Sequence, residues 1–314
     1  MKEDLISIIV PLYNESENIN YLINELNNSF KDISGYQIEL VFVDDGSVDD
    51  TIEKLKKIEF KNYSIQIIKL SKNCGSHAAF RAGLTKAKGN IITILAADLQ
   101  DPPSLTIQLY EVLSKGYDIV WAQRRKTTLG FIEKFFSEFY SFLMRKLVLP
   151  NFPKKGFGLV MFNDKVKEEL NKNIEGNSSI LLQILGFGFK QSYIEYDKRE
   201  RKIGKSKWTV SKKFKLLIDS FVGFSFAPIR FVSIIGVFFF LIGIFWSFYI
   251  IMRKLFYDDL AQGWPMLTSI LLLGFGITNI SLGILAEYLW RTLDTSRHRP
   301  VFIIDEVIES NKNL

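Results

Sequence analysis

Polar side chains, most of them acidic or amide, recur in the first hundred residues after short apolar runs such as Glu39–Val43 (ELVFV) and Ile91–Leu95. These residues are Tyr13, Asn14, Glu15, Asp44, Asp45, Asn73, Asp98 and Gln100. A group of carboxylates repels a phosphorylated ligand unless a divalent cation lies between them, and Mg²⁺ binds through one or two carboxylates together with substrate phosphates. The pattern predicts a nucleotide site in which Asp98 and Gln100, with Asp101 as a further candidate, hold the metal ion. The simpler alternative is that Asp98 only caps the helix that follows.

The elements that must position these side chains alternate regularly along the chain. Strands are expected at Ser7–Val10, 39–43, 65–70 and 91–95, and helices at Asn18–Phe30, Asp50–Ile58 and Ser76–Ala87. Strands that are apolar throughout indicate a parallel sheet covered by helices on both faces. Because ligands of such sheets bind beyond the carboxyl ends of the strands, the polar residues are expected at one edge of the sheet.

Several other enzyme classes do not fit the sequence. The segment after the first strand, 11–15 (PLYNE), lacks the glycine fingerprint of dinucleotide-binding enzymes, and no phosphate loop of the GxxxxGK[ST] kind occurs. A single cysteine, Cys74, excludes an internal disulfide and a thiolate metal cluster. With only two histidines in the chain, zinc chemistry is not expected.

Two long uncharged runs follow in the last third of the chain. There are 22 residues between Arg230 and Arg253 and 27 between Asp259 and Glu287. A membrane-spanning helix needs roughly 20 apolar residues, so both runs are predicted to span a membrane rather than to be buried helices of a soluble domain. Residues 198–215 carry nine Lys or Arg and one Glu. Basic segments of this kind favour the cytoplasmic leaflet.

Three motifs in this order carry a family resemblance: PLYNE at 11–15, VDDGS at 43–47 and ADLQDPP at 97–103. The chain resembles glycosyltransferase family 2. More narrowly, it is similar to the polyisoprenyl-phosphate glycosyltransferases, the dolichyl-phosphate-mannose-synthase-like group. Further matches are SKNCG at 71–75, the pair Arg124-Arg125 and RKIGKSKW at 201–208. The two predicted spans match a bacterial branch that charges a lipid carrier, such as undecaprenyl phosphate, with glucose or a similar sugar.

The resemblance implies a GT-A (Rossmann-like) α/β fold, a UDP- or GDP-sugar donor, Mg²⁺ or Mn²⁺, and inverting transfer of one sugar to a polyisoprenyl phosphate. It assigns catalysis to Asp98, Arg124 and Arg201. It assigns binding of the nucleotide sugar to Pro11, Tyr13, Glu15, Asp44, Ser47, Asn73, Gly75, Ala97 and Asp98. It assigns the lipid phosphate to Arg124, Arg125, Arg201, Lys205 and Ser206, and the metal ion to Asp98 and Gln100.

Two departures from the family pattern bear on the chemistry. The family often has an aspartate where this chain has Ala96, and an acidic residue in the segment that reads Gly156-Phe157-Gly158 here. One metal-side carboxylate is therefore missing, and no catalytic base is assigned. A phosphate monoester has a second pKa of about 6, so a lipid phosphate is already a nucleophile at neutral pH and needs positioning more than a base.

The predicted organisation follows from these segments. It comprises a catalytic domain (1–207), an amphipathic interfacial helix (208–227), a first span (228–252), an external loop (253–263), a second span (264–289) and a cytoplasmic tail (290–314). The N-terminus has no signal peptide, so the protein is expected in the cell membrane with two spans and both termini cytoplasmic.

A second amphipathic segment, Phe131–Leu147, is expected either at the membrane interface or packed on the core. Expected partners are membrane lipids and the two substrates; no nucleic acid is expected, and a homo-oligomer is left open.

Two other functions remain open from the sequence. A polysaccharide synthase usually carries a Gln-x-x-Arg-Trp motif and more spans, and this chain has no such motif. A catalytically weak scaffold that binds a nucleotide sugar would explain Ala96 and Phe157. Transfer of a labelled sugar to lipid distinguishes the scaffold from the enzyme.

Overall fold

The structure, a computed structural model of the chain, describes residues 3–310 except 32–34, 59–62, 126–130, 154–155, 177, 200–217, 223, 226, 258–262 and 298. The chain divides into two compact units. The first comprises Met1–Lys213 together with Pro300–Leu314, and the second is Phe214–Arg299. The predicted lipid-phosphate residues Arg201, Lys205 and Ser206, and most of the predicted helix at 208–227, lie outside the described residues.

One sheet organises the first unit. Its described strands are β1 (Asp4–Leu12), β2 (Tyr36–Asp44), β3 (Ser64–Leu70), β4 (Ile91–Ile94), β5 (Ile119–Arg124), β6 (Phe157–Asn163), β7 (Gln191–Tyr196) and β8 (Ile304–Ser310). Their order across the sheet is β7-β5-β6-β4-β1-β2-β3-β8. Only β6 and β8 run antiparallel to their neighbours. The carboxyl ends of the six other strands meet at one edge, which confirms the predicted α/β architecture with a mainly parallel sheet.

Helices cover both faces of this sheet. In the described part of the first unit they are α1 (Ile19–Phe30), α2 (Thr51–Lys56), α3 (Ser76–Lys86), α4 (Leu105–Leu113), α5 (Phe131–Leu147), α6 (Asp164–Lys172) and α7 (Ile180–Gly186). On one face, α1 buries Leu22 and Leu26 among the core residues of β1. On the other face, α3 lies so close that a Cβ on Gly83 would be 2.5 Å from Ile9 Cγ2. Only a residue without a side chain allows this approach.

Helix α5 has a row of phenylalanines that no core covers. Phe135, Phe136, Phe139 and Phe142 are each at least half exposed, whereas Ser141 and Met144 are buried. The rings of Phe135 and Phe139 stack with centroids 6.4 Å apart. The sequence left two positions open for this segment, at the membrane interface or packed on the core. The exposure of these phenylalanines does not fit packing on the core.

The second unit contains two long helices, α8 (Ala227–Tyr257) and α9 (Trp264–Ser296), which lie over the two uncharged runs. The helices form where the sequence predicts them, but the step from helix to membrane span is not supported. Over the part of the chain that the structure describes, no helix combines the length and the sustained apolarity needed to cross a membrane. A lack of charge is a weaker condition than sustained hydropathy, and α9 includes the polar residues Thr278, Asn279 and Ser281. The predicted two-span localisation is therefore wrong by this finding.

The chain returns to the sheet after the second unit. Strand β8, in the segment that the sequence predicts as a tail, pairs antiparallel with β3 from Ile65 to Leu70. Its acidic residues face lysines: Lys69 Nζ lies 3.1 Å from Asp305 Oδ2, and Lys88 Nζ lies 2.9 Å from Glu309 Oε2. Strand β8 thereby covers a sheet edge that would otherwise be open.

Candidate functional site

Asp44 ends β2 at the carboxyl edge of the sheet, and one of its carboxylate oxygens is buried without a hydrogen-bond partner among the described residues. Its side chain is fully buried. Asp44 Oδ2 accepts a hydrogen bond of 3.0 Å from the backbone N–H of Ser47. Asp44 Oδ1 is buried and has no hydrogen-bond partner among the described residues. Buried polar atoms are rarely left unpaired, so such an atom calls for an explanation. A ligand N–H donor at this edge would provide the missing partner.

The loops after β1 and β2 are joined by reciprocal hydrogen bonds. The backbone N–H of Asn14 donates to Ser47 Oγ at 2.9 Å, and Asn14 Oδ1 accepts from the backbone N–H of Val48 at 2.9 Å. The backbone N–H of Glu15 donates to Thr51 Oγ1 at 2.9 Å. Asn14 has a φ of 49°, which is uncommon for a residue with a side chain. The two loops therefore form one wall of fixed shape beside Asp44.

Asp45 holds the loop after β3 against that wall. Its two carboxylate oxygens accept from the backbone N–H groups of Cys74 and Gly75, at 2.7 and 2.9 Å. Burial raises the pKa of Asp45, and these two hydrogen bonds act in the opposite direction. Gly46, with a φ of +69°, lies so close to the same loop that a Cβ would be 2.6 Å from the carbonyl carbon of Lys72. The loops after β2 and β3 are thus in direct backbone contact.

The loop after β4 carries the predicted metal residues. The backbone N–H of Gln100 donates to Asp98 Oδ1 at 3.3 Å, and Leu99 between them has a φ of 53°. The loop is also fixed from α1, because Asn18 Nδ2 donates to the carbonyl oxygen of Ala97 at 2.5 Å. Strained backbone of this kind is often found at ligand sites.

The side chains of this loop that could bind a metal ion are few, and this limits how an ion could be held. Within the described residues, no three His, Cys, Asp or Glu side chains come together to hold a metal ion by themselves. Ala96 contributes no carboxylate. Asp98 with Gln100 fits a cation that takes most of its ligands from substrate phosphates and water, as Mg²⁺ usually does. It does not fit a closed protein cage.

A buried polar cluster of Asp101, Tyr196 and Arg124 joins the ends of β4, β7 and β5. Tyr196 Oη donates to Asp101 Oδ1, and Arg124 hydrogen-bonds the same hydroxyl. Arg124 Nε is buried without a partner among the described residues. Burial raises the pKa of Asp101, and burial together with Asp101 raises the pKa of Tyr196. The cluster fixes one side of Arg124.

The segment after β7 contacts the loop of Asp98 and Gln100 where the basic residues 198–215 begin. The backbone N–H of Arg199 donates to the carbonyl oxygen of Gln100 at 2.9 Å, and its guanidinium binds Glu25 at 3.0 Å. The backbone N–H of Arg125 donates to the carbonyl oxygen of Tyr196 at 2.7 Å. Arg199, the last described residue of this segment, therefore lies beside the loop of Asp98.

The structure brings the described members of the predicted site to one edge of the sheet. At this edge lie Pro11, Tyr13, Glu15, Asp44, Ser47, Asn73, Gly75, Ala97, Asp98, Gln100, Arg124 and Arg125. Their roles remain predictions.

The sequence names Asp45 among the polar strand-end residues without giving it a role, and the structure shows that it anchors the loop at Cys74 and Gly75. Tyr196 is a contributor that the sequence misses. Tyr196 gave no signal, because its partners Asp101 and Arg124 are 95 and 72 residues away in the chain.

Comparison with known proteins places the chain in a family. A family model described as glycosyl transferase family 2 matches residues 7–174. An uncharacterized glycosyltransferase of Bacillus subtilis (strain 168), YkcC, is 33% identical over 96% of this chain and 93% of its own length. The bactoprenol glucosyl transferase of Shigella phage SfV is 30% identical over 95% of this chain and 97% of its own length.

A third relative bears a different sugar in its name. The undecaprenyl-phosphate 4-deoxy-4-formamido-L-arabinose transferase of Proteus mirabilis (strain HI4320) is 29% identical over 99% of this chain and 97% of its own length. The family model covers more than half of the chain, and the relatives match nearly all of it. The chain therefore belongs to glycosyltransferase family 2 and is an enzyme.

Proposed function

We propose that this enzyme transfers one sugar, with inversion, from a nucleoside-diphosphate sugar to a polyisoprenyl phosphate. The main observation in favour of nucleotide-sugar binding is the buried, unpaired Asp44 Oδ1 at the carboxyl edge of the sheet. The acceptor half is supported by two relatives whose names specify bactoprenol and undecaprenyl phosphate. Those names differ in the sugar, so the proposal extends to the class of donor and not to one sugar.

The donor half follows from the shape of the site. A nucleobase N–H would donate to Asp44 Oδ1, between the wall of Asn14 and Ser47 and the loop held by Asp45. The diphosphate would then reach the loop of Asp98 and Gln100. A divalent cation bound there would neutralise the diphosphate and make it a better leaving group. Asp98 would hold the cation, and the bond from the backbone of Gln100 orients its carboxylate.

The acceptor half requires a nucleophile and control of charge. A lipid phosphate oxygen attacks the anomeric carbon while the bond from that carbon to the diphosphate oxygen breaks, and no proton has to move. Two anionic groups converge on one sugar, so nearby cations lower the barrier. Arg124, fixed on one side by Tyr196, and Arg125, which follows it at the end of β5, are proposed for this role. Arg201, Lys205 and Ser206 are proposed to complete the phosphate site.

The isoprenoid chain of such an acceptor needs an apolar surface. The exposed phenylalanines of α5 provide one on the first unit, and Phe135 and Phe139 already stack on each other. An amphipathic helix with one aromatic face and basic residues is typical of segments that contact lipid. This exposed row supports a lipid acceptor over a water-soluble one.

The proposal is tested by incubating the purified full chain with labelled UDP- and GDP-sugars, undecaprenyl phosphate and Mg²⁺ or Mn²⁺. A product that carries one sugar per lipid is expected, and its formation should stop with excess EDTA. Asp98→Asn should nearly abolish transfer. Asp164→Asn, at the opposite edge of the sheet, should leave it unchanged. Donor binding without any transfer would support the scaffold instead, and a polymeric product would support a synthase.

A further inference from the structure

The loop after β4 has a backbone conformation that its surroundings must hold. Leu99, between Asp98 and Gln100, has a φ of 53°, and its side chain is buried. A residue with a Cβ adopts this left-handed conformation only at a cost in free energy. Because Ala96 supplies no second carboxylate, metal binding by this loop depends on where Asp98 is placed.

Helix α1 holds the beginning of this loop. Asn18, the residue directly before α1, is buried. Its Nδ2 atom donates to the carbonyl oxygen of Ala97 at 2.5 Å. Because Ala97 directly precedes Asp98, this hydrogen bond fixes the point at which the chain enters the loop.

The other end of the loop is held from the segment after β7. The backbone N–H of Arg199 donates to the carbonyl oxygen of Gln100 at 2.9 Å. The backbone N–H of Gln100 in turn donates to Asp98 Oδ1 at 3.3 Å. Arg199 lies three residues beyond Tyr196, where β7 ends, so the pairing of the sheet does not hold it in place. Its position depends on other contacts.

The guanidinium of Arg199 supplies such a contact. Its Nη1 atom lies 3.0 Å from Glu25 Oε2 on α1. Glu25 follows Asn18 by seven residues, which is about two turns of an α-helix, so the two side chains project from the same side of α1. This side of α1 therefore holds the loop at both ends, directly at Ala97 and through Arg199 at Gln100.

We propose that Arg199 is a positioning residue for the loop of Asp98, and that its ion pair with Glu25 sets how tightly a divalent cation binds there. The inference rests on the proposed function, which places the cation at Asp98. It extends that function to two residues outside the motifs that carry the family resemblance. The ion pair acts through the backbone of Arg199 and Gln100, without contact between its own side chains and the cation.

The location of this ion pair gives it more effect than an ordinary surface pair. Exposed ion pairs contribute little to stability, because water solvates both partners. The side chain of Glu25 is only 24% exposed, against 47% for Arg199. The pair also joins two segments that are 174 residues apart in the chain. Breaking it releases the residue whose backbone binds Gln100.

Charge reversal at Arg199 separates positioning from simple attraction. Arg199→Glu places a carboxylate opposite Glu25 and repels it. Through space, the added negative charge would tighten the binding of a cation nearby, whereas a displaced loop would weaken it. We expect the Kd of Mn²⁺ to rise by about fivefold, the upper range for a lost exposed pair. It is measured by electron paramagnetic resonance on the full chain with whichever of UDP and GDP binds the wild type.

A swapped pair should restore the contact. The double variant Glu25→Arg with Arg199→Glu keeps the net charge and reverses the direction of the ion pair. We expect its Mn²⁺ Kd to return to within about twofold of the wild type. The melting temperatures of the single and double variants should stay near that of the wild type, because both side chains are partly exposed. A folded double variant that binds Mn²⁺ as weakly as Arg199→Glu would overturn the inference.

Lys172→Glu is the matched control for reversing one surface charge. Lys172 Nζ lies 2.8 Å from Glu169 Oε1, but both residues belong to α6, so this pair joins no separate segments. Its reversal should change the Mn²⁺ Kd less than about twofold. A rise equal to that of Arg199→Glu would show a general effect of charge and would refute a positioning role.

The outcomes separate this inference from the proposed function. An unchanged or lower Mn²⁺ Kd in Arg199→Glu, with wild-type transfer intact, would refute the role of Arg199 and leave the proposed function standing. Failure of the wild type to transfer sugar would refute the function. The Mn²⁺ titrations, which need no turnover, would still decide whether Arg199 positions the loop.

Discussion

Asp44 Oδ1 is the atom on which the assignment of the nucleotide pocket depends most. It is buried and has no partner among the described residues, and it lies beside a wall fixed by hydrogen bonds. A hydrogen bond to a charged group contributes roughly 1.5 to 3 kcal/mol. Asp44→Asn removes the charge but keeps the size of the side chain. We expect the donor Kd to rise by about one to two orders of magnitude, measured by calorimetry with the nucleotide.

The matched control for this variant is Asp50→Asn in the same region. Asp50 is exposed, and its side chain makes no capping hydrogen bond at the start of α2. Its substitution should change the Kd less than about twofold. Equal effects of the two substitutions would show that general charge, rather than a contact with Asp44, attracts the nucleotide.

Tyr196 is the second residue whose role is read from its contacts. Its hydroxyl lies between Asp101 and Arg124, and a Cβ on Gly158 would be 2.2 Å from the same oxygen. Tyr196→Phe leaves the buried carboxylate of Asp101 without its donor and releases Arg124. We expect a loss of about 1 to 3 kcal/mol in stability and a larger relative loss in kcat than in donor affinity, measured by thermal denaturation and initial rates.

Tyr63→Phe controls for the loss of a buried tyrosine hydroxyl. Tyr63 is buried in the core and packs edge to face against Phe30, with centroids 6.5 Å apart. It should leave kcat unchanged. If Tyr196→Phe lowered stability but kept the full kcat, the cluster would be structural and Arg124 would not depend on it.

At the scale of elements, the loops after β2 and β3 are in close contact on the proposed donor side of the site. Gly46 allows it in two ways, through its positive φ and through the absence of a Cβ that would meet Lys72 and Asn73. Gly46→Ala should therefore separate the loops. We expect a decrease in stability of more than about 1 to 2 kcal/mol, the usual cost of a left-handed conformation alone, together with weaker donor binding.

Gly116→Ala isolates the backbone cost from the steric one. Gly116 also has a positive φ, of +89°, but a Cβ there would meet no atom within 4 Å. It should show a similar conformational penalty without a change in donor affinity. Normal donor binding in Gly46→Ala would mean that the loop contact does not shape the site.

At the scale of the whole molecule, β8 joins residues 304–310 to the side of the sheet that is proposed to bind the nucleotide. It pairs with β3 along its length, and the backbone N–H of Ser71 donates to the carbonyl oxygen of Ile303 at 3.0 Å. Ser71 immediately precedes the loop at 72–75 that Asp45 holds. Deleting residues 303–314 should lower the melting temperature and weaken donor binding, measured by thermal denaturation and nucleotide titration.

A charge-neutralised strand distinguishes backbone pairing from the ion pairs. The triple variant Asp305→Asn, Glu306→Gln and Glu309→Gln removes pairs with Lys69, Lys56 and Lys88, which are all partly exposed. Exposed pairs contribute about 0 to 1 kcal/mol each, so this variant should lose much less stability than the deletion. Equal losses would show that charge, rather than the added strand, holds this edge.

The parallel sheet and the family follow from local patterns in the sequence. The apolar strands, the helical spacing of Leu22 and Leu26, and the motifs at 11–15, 43–47 and 97–103 predicted the α/β sheet and the family, and both are confirmed. Such patterns are local, and the carboxyl ends of parallel strands meet at one edge whatever the details of packing. The predicted two-span localisation failed, since an uncharged run does not by itself establish sustained apolarity.

The remaining features depend on residues that are far apart in the chain. Tyr196 meets Asp101 across 95 residues, and β8 pairs with β3 after the whole second unit has intervened. The unpaired nitrogen of Arg124 and the unpaired oxygen of Asp44 follow from which neighbours surround them after packing. The sequence by itself determined the first four strands, the three helices between them and the family, because periodicity and motifs are encoded locally. Only the tertiary structure decided which polar groups are satisfied, because hydrogen bonding and burial depend on partners that the chain brings together on folding.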